Sequence, residues 1–327
     1  MEYKRCYLYG LKSKKKLLEL LHIDRNVYCK SSFVNSKIKP FIHINPDNNK
    51  KRLVEAPDKD LKSIQSIILS SLQRIDFPTY VFSGIKGKSY IDNARIHENK
   101  KYLFKIDISK FFPNISRNKV YKFYLNKLQT SPDVANILTN LTTVDLDLKN
   151  QDDETMMEVN DFIKENSIKE RNHLITGSPI SPIMSFLANI EMFEEMKILA
   201  DKHCISMTVY VDDVVFSSDN IIPSYFRKNV LDILNRNGYE VSVKKCKWYN
   251  KPSIKKVTGV ILDKNGEMQV PNKLMLKAHN YLNEIKDGNT TNIDHLQGCI
   301  SVTKSINGKL GGFQGQIKRI RRITHKL

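Results

Sequence analysis

Cysteine is scarce and poorly placed for structural use. Cys6, Cys29, Cys204, Cys246 and Cys299 are odd in number, far apart and form no Cys-x-x-Cys pair. That excludes a disulfide framework or a zinc ribbon as the organising device and points to a reducing, cytoplasmic setting. Long apolar runs are missing as well. No segment approaches the roughly 18 uninterrupted apolar residues of a membrane span. The N-terminal run Lys14-Lys15-Lys16-Leu17-Leu18-Glu19-Leu20-Leu21-His22 is too short and too interrupted for a signal peptide. A soluble protein with no membrane partner is expected. Acid is the third shortage: 35 Asp plus Glu face 53 Lys plus Arg in 327 residues, a net charge of +18. Such a surface attracts a polyanion in a salt-sensitive way, nucleic acid first, although charge alone also fits a ribosomal or membrane-surface protein. The length, without a long linker, suits one globular enzyme of two or three subdomains.

Against that shortage, two acids stand side by side. Tyr210-Val211-Asp212-Asp213 lies inside the apolar stretch from Ser206 to Phe216, which reads as two short strands folded back on each other with the carboxylates at the tip. Adjacent carboxylates repel and raise each other's pKa unless a cation lies between them, so the pair suggests a divalent metal. Asp107 is the third acid. Alternation in Lys101-Tyr-Leu-Phe-Lys-Ile-Asp-Ile-Ser-Lys-Phe-Phe112 puts Phe104, Ile106 and Ile108 on one face of a strand and Asp107 on the other. Two strands that each lift an acid to one edge meet the requirement of a two-metal nucleotidyl-transfer site.

The rest of the chain reads as support. Leu11 to Ile23 is expected to form a short amphipathic helix. Ile38 to Ile44 and Lys51 to Ala56 read as a basic hairpin turned by Asn45-Pro-Asp-Asn-Asn49, followed by a helix that Pro57 opens and whose inner face carries Leu61, Ile64, Ile68, Leu72 and Ile75. Residues 141–170 turn acidic and read as an exposed insertion with one short helix, a solvated face rather than a metal site. After Pro182, the apolar stripe Ile183, Phe186, Leu187, Ile190, Phe193 and Met196 predicts one long helix. Lys256 to Leu262 reads as a strand, and Lys309 to Leu327 as a basic helix.

Taken in order, these pieces resemble a bacterial reverse transcriptase, and within that superfamily a retron reverse transcriptase. The ordered set is a basic hairpin ending in Arg52, a Ser-x-x-x-Asn-Ala block, Asp107 with Phe111-Phe112, Gly177-Ser-Pro-Ile-Ser-Pro182, the Asp-Asp tip, a Lys-Lys segment and Val257-Thr258-Gly259. Asn93-Ala94-Arg95-Ile96-His97 and Val257-Thr258-Gly259 match the retron NAxxH and VTG motifs. The resemblance implies an α+β right-hand polymerase with fingers, a palm of antiparallel sheet packed on helices, and a small helical thumb. It divides the chain into an N-terminal helix and fingers (1–100), a palm strand with the catalytic Asp (101–116), fingers and palm helices with the acidic insertion (117–174), palm (175–265) and basic thumb (266–327).

It also implies roles. Asp107, Asp212 and Asp213 hold two Mg²⁺ ions, while Phe112 is a steric gate that leaves no room for a sugar 2′-hydroxyl, with Phe111 a core ring beside it. Arg52 clamps the triphosphate of an incoming dNTP. Gly177, Ser178 and Pro179 bring backbone to the nascent base pair, although Thr176 stands where the family usually has Gln. Tyr210 and Val211 lie beside the primer terminus, and Lys86 and Lys88 touch template backbone. Lys245 protonates the leaving pyrophosphate, with Lys244 as the alternative and plain phosphate attraction as the rival role. Asn93, His97, Val257, Thr258, Gly259 and the basic residues Lys318, Arg319, Arg321 and Arg322 are assigned to RNA recognition. For Asn93 and His97, four residues apart, internal hydrogen bonding is the competing reading. The activity implied is copying of a cognate structured noncoding RNA into RNA-linked single-stranded DNA (msDNA), primed from an RNA 2′-hydroxyl, in antiphage defence with a separate effector protein for which the acidic insertion is a docking surface. The alternatives are another defence-associated or intron-type reverse transcriptase and a catalytically vestigial RNA-binding scaffold.

Overall fold

The computed structural model describes residues 1–307 apart from 24–25, 47, 152, 243–244 and 288. Eleven strands occur among them: β1 (Ile38–Ile44), β2 (Lys51–Pro57), β3 (Tyr102–Asp107), β4 (Thr143–Asp145), β5 (Asn172–Leu174), β6 (Ser206–Tyr210), β7 (Asp213–Ser218), β8 (Lys247–Tyr249), β9 (Lys255–Val257), β10 (Val260–Leu262) and β11 (Met268–Gln269). Helices fill most of the intervals, so the fold is α+β, with an antiparallel sheet at its centre.

That sheet has the order β6-β7-β3-β8. Its register explains the alternation in sequence. Phe104 pairs with Phe216 and Ile106 with Val214, and all four are buried in the main core under the helices Ile190–Lys202 and Ser224–Arg236. Phe104 and Phe216 stack at 5.9 Å, and Phe216 meets Phe226 of the second helix edge-on at 5.3 Å. The other face carries Leu103, Lys105 and Asp107 beside Val215 and Asp213. Leu103 and Val215 belong to a separate core with Ile91, Ala94, Val257, Val260 and Leu262. One end of this second face is therefore roofed by the helix Tyr90–Arg95 and the β9–β10 hairpin, while the end bearing the acids stays clear.

The β1–β2 hairpin forms as expected, in register from Ile38 opposite Pro57 to Ile44 opposite Lys51. The helix after it runs Lys59–Leu72, and Asp58 rather than Pro57 opens it, accepting the Leu61 amide at 2.9 Å. The acidic segment holds one helix, Glu154–Glu165, with Met156, Val159 and Ile163 buried where it packs on β1.

Two expectations need correcting. The single helix predicted after Pro182 is two, Ser181–Leu187 and Ile190–Lys202. Asn189 leaves helical geometry between them because its amide donates to the Ser185 carbonyl at 2.9 Å and its Oδ1 receives Tyr239 Oη at 2.7 Å. The strand predicted over 256–262 is the β9–β10 hairpin, since Thr258 (φ 44°) and Gly259 (φ 97°) both turn left-handed between the paired Val257 and Val260, the geometry of a tight two-residue turn. Near the C-terminus, the helices Asn272–Lys286 and Ile293–Asn307 pack on Ala278, Leu282, Leu296 and Cys299. The basic helix predicted for 309–327 lies outside the described residues. Among these residues no helix is long and apolar enough to cross a membrane.

Candidate active site

Asp107 ends β3 and Asp213 opens β7, and the two are directly paired across the sheet. Asp212 lies in the two-residue turn that joins Tyr210 to its partner Asp213. The turn is tight because Val211 takes φ 57°, a region that favours glycine and costs a β-branched residue about 1–3 kcal/mol. Asp212's carbonyl receives the Ile108 amide at 2.8 Å, which fastens the turn to the strand carrying Asp107. Asp107 and the adjacent pair Asp212-Asp213, about a hundred residues apart, thus meet at the open end of one sheet face.

Their electrostatics are those of a crowded acidic site. Burial, then the charges of Asp107 and Asp213, push the Asp212 carboxyl up to about 6. Two lysines answer the other acids. Lys245 Nζ lies 2.6 and 2.8 Å from the two oxygens of Asp107, and Lys105 Nζ lies 2.9 Å from Asp213 Oδ2. Asp213 Oδ1 is buried without a hydrogen-bond partner. Among the described residues no three acidic, histidine or cysteine side chains are placed together so as to hold a metal ion; the Lys245 and Lys105 ammoniums lie on the Asp107 and Asp213 carboxylates. The chemistry of the donor set still fits a hard divalent ion: it is all carboxylate, and one buried oxygen is orphaned.

Lys245 reaches Asp107 through a turn, not a strand: its amide bonds the Ser242 carbonyl, and Ser242's amide bonds the Asp107 carbonyl, both at 2.9 Å. Lys244 lies outside the described residues, as do Lys318, Arg319, Arg321 and Arg322. Lys105 was missed in the sequence, although the period of two that exposed Asp107 puts residue 105 on the same face.

Phe112 begins a 3₁₀ turn five residues beyond Asp107 and is half-buried, whereas Phe111 is core, edge-on to Tyr239 at 5.2 Å and to Phe193 at 6.2 Å. Tyr210, Val211 and Pro179 are partly exposed near the turn or the loop before residue 181. Arg52 is exposed on β2 and forms no ion pair with another described residue, and Lys86 is likewise exposed.

Other predicted site residues are engaged within the protein. Lys88 is partly exposed, donates to the Thr79 and Val81 carbonyls at 3.1 and 2.8 Å and sits over the Phe82 ring, so its ammonium ties a loop together. Ser178 is buried and donates to Gln65 Oε1 at 2.6 Å. Gly177 does permit a close backbone approach, but to β2: a Cβ there would lie 2.5 Å from the Glu55 carbonyl oxygen. Asn93, His97 and Val257 are fully enclosed. Asn93 donates to Thr258 Oγ1 at 3.2 Å, and Thr258 donates on to the Tyr90 carbonyl at 2.9 Å. The His97 ring bridges Ser217 and Thr208 hydroxyls at 2.7 Å each, and burial depresses its pKa to about 3. These three side chains are enclosed by the protein itself; among the described residues of that group, Thr258 and Gly259 reach the surface.

Comparison with known proteins agrees with this geometry. Residues 43–262, two thirds of the chain, match the family model described as reverse transcriptase (RNA-dependent DNA polymerase). Similar proteins include the retron Se72 reverse transcriptase of Salmonella heidelberg, 26% identical over 61% of this chain and 47% of that protein. The retron Ec83 and Ec86 reverse transcriptases of Escherichia coli are 24% and 21% identical, over 78% and 79% of this chain and 78% and 72% of their own length. The chain spans about half the length of the Salmonella relative. It belongs to the reverse transcriptase family.

Proposed function

We propose that this member of the reverse transcriptase family is a retron-type RNA-directed DNA polymerase, which copies part of a cognate structured noncoding RNA into single-stranded DNA that stays linked to the RNA. The observation that carries the reading is the pairing of Asp107 with Asp213 beside the strained turn that presents Asp212, all inside the family-matched region. In this reading the central sheet is the palm, the β1–β2 hairpin belongs to the fingers, and the helices Asn272–Lys286 and Ile293–Asn307 form the thumb.

Asp107, Asp212 and Asp213 would hold two Mg²⁺ ions. Bound there, the ions would acidify the primer hydroxyl and neutralise charge on the triphosphate and the departing pyrophosphate. The protein's part is alignment. Arg52, exposed and free of acidic partners among the described residues, offers a guanidinium to triphosphate oxygens. Phe112 fills the space a 2′-hydroxyl would need. Lys245 carries a proton within reach of the same carboxylates that surround the reacting phosphate, so its ammonium is the group that would protonate pyrophosphate or hold it electrostatically. Thr258 and Gly259 at the hairpin turn would contact RNA phosphates and 2′-hydroxyls, and the same role is assigned to Lys318, Arg319, Arg321 and Arg322. Priming from an RNA 2′-hydroxyl, a defence role and a separate effector docking on the acidic helix Glu154–Glu165 complete the proposal.

Two experiments test it. DNA synthesis on an RNA template should require Mg²⁺ and vanish in Asp212→Asn while the fold is retained. Nucleic acid extracted from the purified protein should contain a short DNA that shifts on debranching. If the Asp212→Asn variant still extends primers, the polymerase site lies elsewhere. If the DNA is absent or unbranched, priming follows another scheme.

A further inference from the structure

Thr176, which stands where the family usually has glutamine, is engaged with the protein's own backbone. Its hydroxyl accepts the Glu55 amide at 3.0 Å and donates to the Leu53 carbonyl at 3.2 Å, so one side chain grips β2 on both sides of Val54. Its amide donates to Glu55 Oε2 at 2.9 Å, and the next amide, Gly177, donates to the Glu55 carbonyl at 3.2 Å. The absence of a side chain at Gly177 is what permits this crossing, since a Cβ would strike that same carbonyl.

Beneath the crossing is a buried pair. Glu55 Oε1 lies 2.7 Å from His173 Nε2, and both side chains are wholly inaccessible. The second ring nitrogen, Nδ1, lies 2.7 Å from the Glu170 carbonyl. Each nitrogen faces an acceptor, so the ring carries two protons, and the glutamate raises its pKa against the opposing effect of burial. A buried ion pair with every polar atom answered is rigid, and breaking it by removing one partner is costly. It fixes the carboxylate that in turn receives the Thr176 amide.

Arg52 is the residue next to Leu53. We propose that Thr176 is a positioning residue: by stitching Leu53 and Glu55 to the loop before Gly177, it holds the β2 strand, and with it the exposed Arg52, in a fixed place for nucleotide binding. The inference rests on the reading of Arg52 as a triphosphate contact.

The test is a double-mutant cycle on the full chain, with steady-state incorporation of dTTP on an RNA template annealed to a DNA primer. Thr176→Val keeps the shape and removes both hydroxyl bonds; Thr176→Ser keeps them. Expected results are a five- to twentyfold rise in KM for dTTP in Thr176→Val with kcat within twofold, near wild-type values in Thr176→Ser, and a raised KM in Arg52→Ala that Thr176→Val does not raise further. An unchanged KM in Thr176→Val, an equal rise in Thr176→Ser, or effects that multiply in the double variant would each overturn the positioning role while leaving Arg52 as a nucleotide contact. A silent Arg52→Ala would remove the nucleotide contact itself, and the positioning role with it.

Discussion

The acidic cluster should hold stability back when no cation is bound, and Asp212→Asn measures by how much. Asp212 titrates at an ordinary 3.8 when free and is raised to about 6 in the fold. The folded chain therefore binds this proton more tightly than the unfolded one. Above pH 6 both states are ionised and the full cost is present. As the pH falls through 6 the folded state takes up its proton first, and the cost is relieved, vanishing below the unfolded value. The shift corresponds to about 3 kcal/mol at neutral pH. Asp212 retains some solvent contact and faces Lys245, so about 2 kcal/mol is the figure to test. Removing the charge should raise the melting temperature in EDTA at pH 7.5 by about 4 °C. The gain over wild type should shrink as the pH is lowered to 5. Mg²⁺ should stabilise the wild type and leave the variant unmoved, although the variant is inactive. Thermal melts at several pH values, with EDTA or Mg²⁺, read all three. A variant that melts at or below the wild type at pH 7.5, or a gain of equal size at pH 5, would refute the reasoning.

Phe112→Val should raise ribonucleotide incorporation relative to deoxynucleotide at least about tenfold, measured by competing substrates on one primer; an unchanged ratio removes the gate assignment. His97→Ala strands the Ser217 and Thr208 hydroxyls and opens a cavity, so denaturant melts should show a loss of about 3 kcal/mol, while RNA affinity of the folded fraction stays the same. Because burial holds His97 near 3, below its ordinary value, the wild type should also lose stability as pH falls below about 6.5, and a His97→Gln variant should lose less over that window. Gly177→Ala places a methyl against the Glu55 carbonyl and should cost about 1–3 kcal/mol in the same melts.

What could be read in advance was what periodicity carries. The period of two placed Asp107 opposite the core face of β3, and the doubled acid at a strand reversal located the second half of the site. The N-terminal hairpin and the helix after it followed from turn residues and three-to-four spacing. The remainder depends on contacts between distant segments. Nothing local in Thr258-Gly259 separates a strand interior from a hairpin turn, because threonine seldom takes positive φ. The break at Asn189 depends on Tyr239, 50 residues away. Lys88 looks like a template-binding cation until the Thr79 and Val81 carbonyls are seen around it. Glu55 and His173, 118 residues apart, give no sign in sequence that they meet.

The two short motifs, Asn93 to His97 and Val257 to Gly259, on which the resemblance to retron reverse transcriptases rests form one structural unit. Asn93 and Thr258 are bonded to each other across 165 residues, and His97 anchors the same segment to β6 and β7. Together they seat the β9–β10 hairpin on the half of the sheet face that Leu103 and Val215 line, next to the half that carries Lys105, Asp213 and Asp107. The distance between the hairpin turn and the acids is therefore fixed by buried hydrogen bonds and apolar packing. A polar residue enclosed in this way fixes geometry: it sets where the exposed Thr258-Gly259 turn stands relative to the acids, and under the proposed function contact with RNA is left to residues that reach solvent. Substitution of the buried polar members should then show as a loss of fold or of primer alignment, and substitution at the turn as a change in which RNA is bound.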